Sequence, residues 1–165
     1  MISLKLKDVF FNVDRGEAWL VLADEAERRG LPIFIGSWDT KVIAFGLRKD
    51  SPHPLTFQLM GDMLAAVGAE LVEARITDLV ESKFRAVIVV RKGVSDHSIA
   101  ARPSDAVGLA ACLARPIYAA ETLMDTAGKE LDEDGKPPEL PDGFLSMRWM
   151  WAEDVGATAR NRGAA

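Results

Sequence analysis

The sequence predicts a single α+β domain assembled from two copies of a strand–strand–strand–helix unit. Three observations indicate this: apolar runs of strand length are separated by turn residues, other segments have apolar residues at helical spacing, and residues 66 positions apart match. The length of 165 residues fits one domain with its own core, and 48% hydrophobic with 27% charged residues is typical of a globular protein. We therefore expect a compact domain with a mixed or antiparallel sheet and packed helices.

The first half of the chain predicts three strands and two helices. At the N-terminus Leu4 and Leu6 alternate with Lys5 and Lys7, which is the period of a half-buried strand. Apolar runs between turn residues predict the next two strands, and helical spacing predicts the helices, the second with Thr56 as its N-cap. The predicted strands are residues 2–11, 18–23 and 31–35, and the predicted helices are residues 39–47 and 56–67.

The second half predicts the same kinds of element in a similar order. Turn signals separate a strongly β-favouring run from its neighbours, and Pro103 suits the first turn of a helix because its missing N–H is not needed there. The predicted strands are residues 71–79, 86–90, 98–101 and 116–118, and the predicted helices are residues 102–113 and 121–127.

The two halves match at a constant offset of 66 residues. Such a match predicts a folded duplication, although chance alignment of apolar positions would account for part of it, and it places Asp39 and Asp105 at equivalent helix starts. The matched pairs are Val21 and Val87, Leu22 and Ile88, Ile33 and Ile99, Asp39 and Asp105, Ile43 and Leu109, Ala44 and Ala110, and Leu47 and Leu113.

Three regions are predicted along the chain: a domain over residues 1–128, an acidic linker over 129–142, and a C-terminal tail over 143–165. The linker has six acids and two lysines, a net charge of −4 out of −5 for the whole chain. In the tail, Trp149 and Trp151 alternate with other residues, and we expect them to dock on the domain or on a neighbouring subunit because two tryptophans are a large apolar surface.

Composition limits the class of protein. The net charge of −5 disfavours binding of phosphate backbones by bulk electrostatics, although a local basic site is compatible with it. No apolar run reaches the roughly 20 residues of a membrane helix, and charged residues interrupt the N-terminus where a signal peptide would be apolar. The single cysteine, Cys112, fits a reducing compartment. We expect a cytoplasmic protein without a membrane partner.

The segment from Ile99 to Ala110 contains the most specific pattern, Arg102-Pro-Ser-Asp105 at a predicted helix start. One interpretation is structural, because Ser104 or Asp105 can accept hydrogen bonds from free N–H groups and a carboxylate there interacts favourably with the helix dipole. The other is functional, with Arg102 binding phosphate and Asp105 binding a metal ion or activating water. Both interpretations fit the residue types.

Asp39 repeats the setting of Asp105 and has the same two interpretations. If the two repeats face each other, the two acids converge, and a carboxylate pair holding a divalent cation is a common means of phosphodiester cleavage. The two histidines, His53 and His97, would give a second kind of metal site or a general base, but neither has a ligand partner at a characteristic spacing.

Several motifs in order along the chain resemble the bifunctional nuclease domain. The resemblance covers roughly residues 2–128 and implies a compact α+β fold, self-association into a homo-oligomer, and cleavage of DNA and RNA. The motifs are Leu31-Pro-Ile-Phe-Ile-Gly36, Pro54-Leu-Thr56, Ile76-Thr-Asp78, Ala101-Arg-Pro-Ser-Asp-Ala106 and Pro116-Ile-Tyr118.

The resemblance also implies a site. Its catalytic residues would be Asp39, Arg102, Ser104 and Asp105, its substrate-binding residues Thr56 and Arg102, and its metal candidates Asp39, Asp105 and Asp78 for Mg²⁺ or Mn²⁺. The sequence departs from the family pattern at four positions: Asp39 replaces a usual Glu, Phe57 and Gln58 a usual His-Asp, and Ala100 a usual Asp. The leading hypothesis is a nuclease acting on DNA or RNA; the alternative is a non-catalytic module that binds a protein or small ligand.

Overall fold

A computed structural model describes residues 1–48, 51–148 and 150. Nine strands and four helices lie within these residues, in an α+β arrangement as predicted. The strands are β1 (Ile2–Asn12), β2 (Glu17–Asp24), β3 (Arg29–Gly36), β4 (Ala69–Val80), β5 (Lys83–Lys92), β6 (Ser95–Ala101), β7 (Ile117–Ala119), β8 (Lys129–Glu130) and β9 (Leu145–Ser146), and the helices are α1 (Ser37–Gly46), α2 (Thr56–Ala66), α3 (Pro103–Cys112) and α4 (Glu121–Ala127).

All of these strands belong to one mixed sheet. Its order is β6-β5-β4-β7-β1-β2-β3-β8, and β9 pairs with β1 beside this path. Neighbouring strands are antiparallel except β4 and β7, which are parallel. The three-residue strand β7 therefore lies at the centre, between the strands of the first half and those of the second.

The duplication predicted from the 66-residue offset is confirmed. In each half three consecutive antiparallel strands lead into a helix, and α1 and α3 begin and end 66 residues apart. The N-cap residues, Gly36 and Arg102, have the same backbone angles, φ −69° and ψ 148°. The two helix starts are therefore built alike, but only the second has a long cationic side chain at its N-cap.

The main core lies between one face of the sheet and helices α1 to α3. Alternation along β2 sends Leu20 and Leu22 to this face, where they are fully buried with Ile43 of α1 and Leu109 of α3. Val21 points to the opposite face. There a smaller cluster forms from Phe10, Val21, Leu140 and Phe144, with Trp19 and Leu131 packed against it.

Residues 129–148, which include the predicted linker, lie against that second face. Leu140 is only 5% exposed and Phe144 9%, because these apolar side chains cover the sheet, and β8 pairs with β3. The segment is thus packed on the domain rather than extended away from it. Trp149 and Trp151, expected to dock, lie outside the described residues.

A buried carboxyl anchors the end of this segment. Asp8 is 2% exposed, and its two oxygens accept hydrogen bonds from the Val9 N–H at 2.7 Å and from the Ser146 hydroxyl at 2.5 Å. Burial raises the pKa of Asp8, and the hydrogen bonds oppose that rise in part. Asp8 follows an irregularity in the pairing of β1 with β2, which lies between Leu6 and Asp8.

Helix α2 differs from its prediction at its N-cap. Its N-cap is Leu55 rather than Thr56, because the Gln58 side chain accepts the Leu55 N–H at 2.5 Å. In addition, Phe57 is the one fully buried residue of the helix, and most of its apolar stripe faces outward. The exposed members of that stripe are Leu59, Met60, Met63 and Val67.

None of the helices in the described part of the chain combines the length and apolar character needed to cross a lipid bilayer.

Candidate functional site

The duplicated fold brings the starts of α1 and α3 together on one side of the sheet. Each helix follows the third strand of its unit, so Asp39 and Asp105 occupy the same third position after their N-caps. The N–H of Gly36 donates to Asp39 Oδ2 at 3.3 Å, which satisfies one free donor of α1. Asp39 therefore has the structural role of a hydrogen-bond acceptor at the start of α1.

Arg102 joins the two helix starts. Its Nε and Nη2 donate to the two oxygens of Asp105 at 2.7 and 2.8 Å, a bidentate pair within α3. Across to α1, its Nη2 and Nη1 donate to Asp39 Oδ1 and Oδ2 at 3.1 and 3.4 Å. Three of the predicted catalytic residues thus form one cluster, which we call the helix-start cluster: Asp39, Arg102 and Asp105.

The helix-start cluster is reachable from solvent. The side chain of Arg102 is 63% exposed, that of Asp105 42% and that of Asp39 14%. The hydrogen bonds and charge of Asp105, and then the charge of Asp39, raise the pKa of Arg102 further above its ordinary value. Four of the five guanidinium N–H donors are used in the four hydrogen bonds to these acids. An incoming phosphate would therefore have to compete with a carboxylate.

Other predicted site residues lie apart from the cluster. Ser104 is 4% exposed, so its hydroxyl is inside the domain. Thr56 is exposed in the first turn of α2. Asp78 is an exposed residue of β4, paired across the sheet with Arg85, and among the described residues no hydrogen bond or ion pair connects it with the helix-start cluster.

The positions that depart from the family pattern have structural roles here. Phe57 is 3% exposed and lies against Gly46 of α1 and Gly108 of α3, where a Cβ on either glycine would come within 2.8 Å and 2.4 Å of its ring. Gln58 caps α2 and also donates from Nε2 to the Arg48 carbonyl at 2.9 Å. Ala100 is exposed on the edge strand β6. The ring of Phe57 therefore fills the space between the three helices, at the position where the family pattern has a histidine.

The arrangement of the cluster does not fit a divalent cation held by both acids. The guanidinium of Arg102 already lies against both carboxylates, so a cation bridging Asp39 and Asp105 would have to displace it. Within residues 1–48, 51–148 and 150, no group of three or more His, Cys, Asp or Glu residues is placed to hold a metal ion. His53 and His97 are exposed on different elements, the loop before α2 and strand β6.

A cavity along α1 was not anticipated from the sequence. It has a volume of about 500 Å³ and lies between α1 and the chain from Ser51 to Thr56. Its α1 wall is a stripe at helical spacing, Trp38, Lys41, Val42 and Phe45. The repeat contained a signal for it: at an offset of 66, Trp38 stands where the second unit has the small, buried Ser104.

One known family matches most of the chain. The family model of the bifunctional nuclease domain matches residues 20–132, more than half of the chain, and the match contains all of α1, α2 and α3. The chain belongs to the bifunctional nuclease family. The family assignment made from the sequence motifs is confirmed. The matched range of this bifunctional nuclease domain begins inside β2.

Two relatives with similar sequences are uncharacterized proteins from two strains of Mycobacterium tuberculosis. Each is 37% identical to this chain over 110 residues, which is 66% of this chain and 65% of the relative. The chain therefore spans slightly less than two thirds of the length of these relatives. Neither relative's description names a substrate or a reaction.

Proposed function

We propose that this bifunctional nuclease domain hydrolyses phosphodiester bonds of DNA or RNA at the helix-start cluster. The observation that carries the proposal is an exposed guanidinium held between two carboxylates from different halves of the fold. A guanidinium recognises phosphate, and a carboxylate can accept the proton of an attacking water. The match to the family supports this combination of roles.

Phosphate binding and base activation would be coupled. Since four of the five donors of Arg102 are used, a phosphate must displace one acid to bind with two hydrogen bonds. The contacts to Asp39, at 3.1 and 3.4 Å, are longer than those to Asp105, at 2.7 and 2.8 Å, so Asp39 is the acid to be displaced. Asp105 then keeps Arg102 oriented while Asp39 becomes able to accept a proton.

In the chemical step, water attacks phosphorus and its proton passes to the Asp39 carboxylate. A bond forms between the water oxygen and phosphorus, and the bond from phosphorus to the leaving sugar oxygen breaks. The leaving oxygen takes a proton from solvent, which gives a phosphomonoester and an alcohol. Arg102 stabilises the negative charge that develops on the phosphoryl oxygens. The residues present do not fit a bridging metal ion, and none is used in this step.

The test is cleavage of end-labelled single-stranded RNA and DNA by purified protein, with EDTA, Mg²⁺ or Mn²⁺. We expect Asp39→Asn and Arg102→Lys to reduce the rate by about 100-fold or more, because one removes the base and the other the fork-shaped donor. Arg91→Lys is the matched control, since Arg91 also makes a solvent-exposed bidentate pair, with Asp96 on the β5–β6 hairpin. Cleavage that survives both cluster substitutions would show that the activity comes from a contaminant.

A second candidate function is a binding module that associates with a second copy of the chain through α2. The outward stripe of α2 exposes 38–61% of Leu59, Met60, Met63 and Val67. Asp62 is the single charged residue of the helix, so two such surfaces can meet without strong repulsion. An exposed apolar face of this kind supports the homo-oligomer expected from the sequence.

Light scattering after size-exclusion chromatography tests this candidate. We expect the native chain to elute as an oligomer and Met63→Lys to shift it toward the monomer mass. Val94→Lys is the control, because Val94 is fully exposed in the β5–β6 turn. A native chain that stays monomeric over the accessible concentration range would eliminate the α2 interface.

A further inference from the structure

The cavity between α1 and the chain from Ser51 to Thr56 is lined by aromatic rings and a cation. Its α1 wall presents an aromatic ring, a cation and a second aromatic ring in successive turns: Trp38, Lys41 and Phe45. Trp38 is 72% exposed and Phe45 44%. Both rings can therefore be covered by a ligand without any rearrangement of the core.

The charge of the cavity suits an anionic ligand. Lys41 belongs to its lining, and none of its described lining residues is acidic, although the chain as a whole has a net charge of −5. The Nζ of Lys41 lies 5.9 Å from the centroid of the Trp38 ring. A base on the indole would thus have a cation within reach of its phosphate.

Size and position fit the same ligand. A volume of about 500 Å³ is within the range of small-molecule sites and admits a nucleotide. Trp38 directly precedes Asp39 in the first turn of α1, and consecutive Cα atoms are about 3.8 Å apart. Trp38 is thus the lining residue next in the chain to an acid of the helix-start cluster.

We infer that this cavity binds one unpaired base of a single-stranded nucleic acid by stacking on Trp38, with Lys41 contacting the adjoining phosphate. The inference rests on the proposed function for its choice of ligand and adds a substrate class, single strands over duplexes. Stacking is tolerant of sequence because every base has a π face, whereas a base inside a duplex cannot reach a cavity on a helix surface.

The test is equilibrium binding of a fluorescently labelled ten-nucleotide RNA, measured on ice with strand integrity checked by gel. Three arms use the single strand, the same strand annealed to its complement, and a strand of the same length made of abasic sugars. We expect tight binding for the single strand only. Trp38→Ala should weaken it about 10-fold or more and Trp38→Phe much less, since a phenyl ring still stacks. Lys41→Gln should lower the salt slope by about one.

Phe34→Ala is the matched control. Phe34 is an exposed aromatic of β3 that contacts Trp19 on the sheet face opposite the helices, so its loss should leave strand binding unchanged. Equal binding of the abasic strand, or no effect of Trp38→Ala, overturns the inference. Adenosine monophosphate binding as tightly as the strand overturns it too, because the cavity would then serve free nucleotides. A change in oligomer mass in Trp38→Ala without a change in strand binding also overturns the inference.

The two proposals fail separately. Cleavage that depends on Arg102 with strand binding indifferent to Trp38 removes only the stacking site. Strand binding that depends on Trp38 in a protein that cleaves nothing removes only the nuclease.

Discussion

The ring of Phe57 lies against Gly108 so closely that a Cβ added to the glycine would be 2.4 Å from two ring carbons. This contact wedges the start of α2 against the middle of α3, and Ile43 of α1 is near the same glycine. Phe57 therefore helps to hold α1 and α3, and with them the helix-start cluster, at a fixed separation.

We expect Gly108→Ala to destabilise the protein by about 1–3 kcal/mol, since the aromatic ring and the backbone cannot both stay in place. Gly61→Ala is the matched control in α2. There the added Cβ meets only the terminal methyls of Leu113, which can rotate, and alanine favours a helix. Urea unfolding of both variants measures the difference. Equal stabilities would mean that the contact is looser than the structure indicates.

Arg102→Ala should lower the free energy of unfolding by about 1 kcal/mol, a value kept small because the side chain is largely exposed to solvent. The substitution leaves Asp39 and Asp105 near each other without their shared cation. Thermal unfolding should shift downward by about 2–4 °C.

Arg91→Ala serves as the comparison for Arg102→Ala. It removes a bidentate pair with a single carboxylate, Asp96, so the loss should be smaller. If the two variants melt together, the link between the two helix starts contributes nothing beyond an ordinary surface pair.

The buried Asp8 predicts a specific dependence of stability on pH. Burial raises its pKa above the ordinary 3.8, so the folded chain holds this proton more tightly than the unfolded chain does. Its contribution to stability is then greatest at low pH and is lost as the pH rises through the folded pKa. Asp8→Asn should remove that loss.

The measurement for Asp8 is the difference in unfolding free energy between the native chain and Asp8→Asn, followed upward from the ordinary pKa of 3.8, because the loss lies between that value and the raised folded pKa. As the pH rises, the variant should become more stable relative to the native chain. Taking the difference cancels the opposite trend of Glu27 and Glu139, whose pKa values are lowered by Lys7 and Lys129.

Leu140→Ala should cost about 2 kcal/mol, because Leu140 is buried in the small cluster with Phe10, Val21 and Phe144. Leu145→Ala is the control from the same segment, with a side chain that is 61% exposed, and should change stability little. Limited proteolysis should cut Leu140→Ala within residues 129–148 before the native chain. Resistance equal to the native chain would show that the segment is held by other contacts.

The sequence predicted the fold better than it predicted the surroundings of individual helices and strands. The match of Asp39 with Asp105 located both helix starts, because a helix needs capping groups at a fixed position and a duplicated chain repeats them. The outward stripe of α2 could not be foreseen, since periodicity identifies an apolar face but not what covers it. The two-residue strands β8 and β9 depend on distant partners, which leave no local pattern.

The candidate site was predicted in part for the same reason. Convergence of Asp39, Arg102 and Asp105 follows from the repeat, whereas the burial of Ser104 and the separation of Asp78 depend on tertiary packing. Residue types alone could not show that Arg102 would bind both acids. In the proposed mechanism, these contacts decide which acid a bound phosphate would displace from Arg102.

The sheet order has a mechanical consequence. Strands β1 and β4, which begin the two halves, are joined only by way of β7, whose three residues pair with Leu4 and its neighbours on one side and with Ala74 to Ile76 on the other. Within the sheet, contact between the halves therefore depends on these three residues. A bulky substitution at Ala119, fully buried in β7, should disturb the pairing that joins the halves.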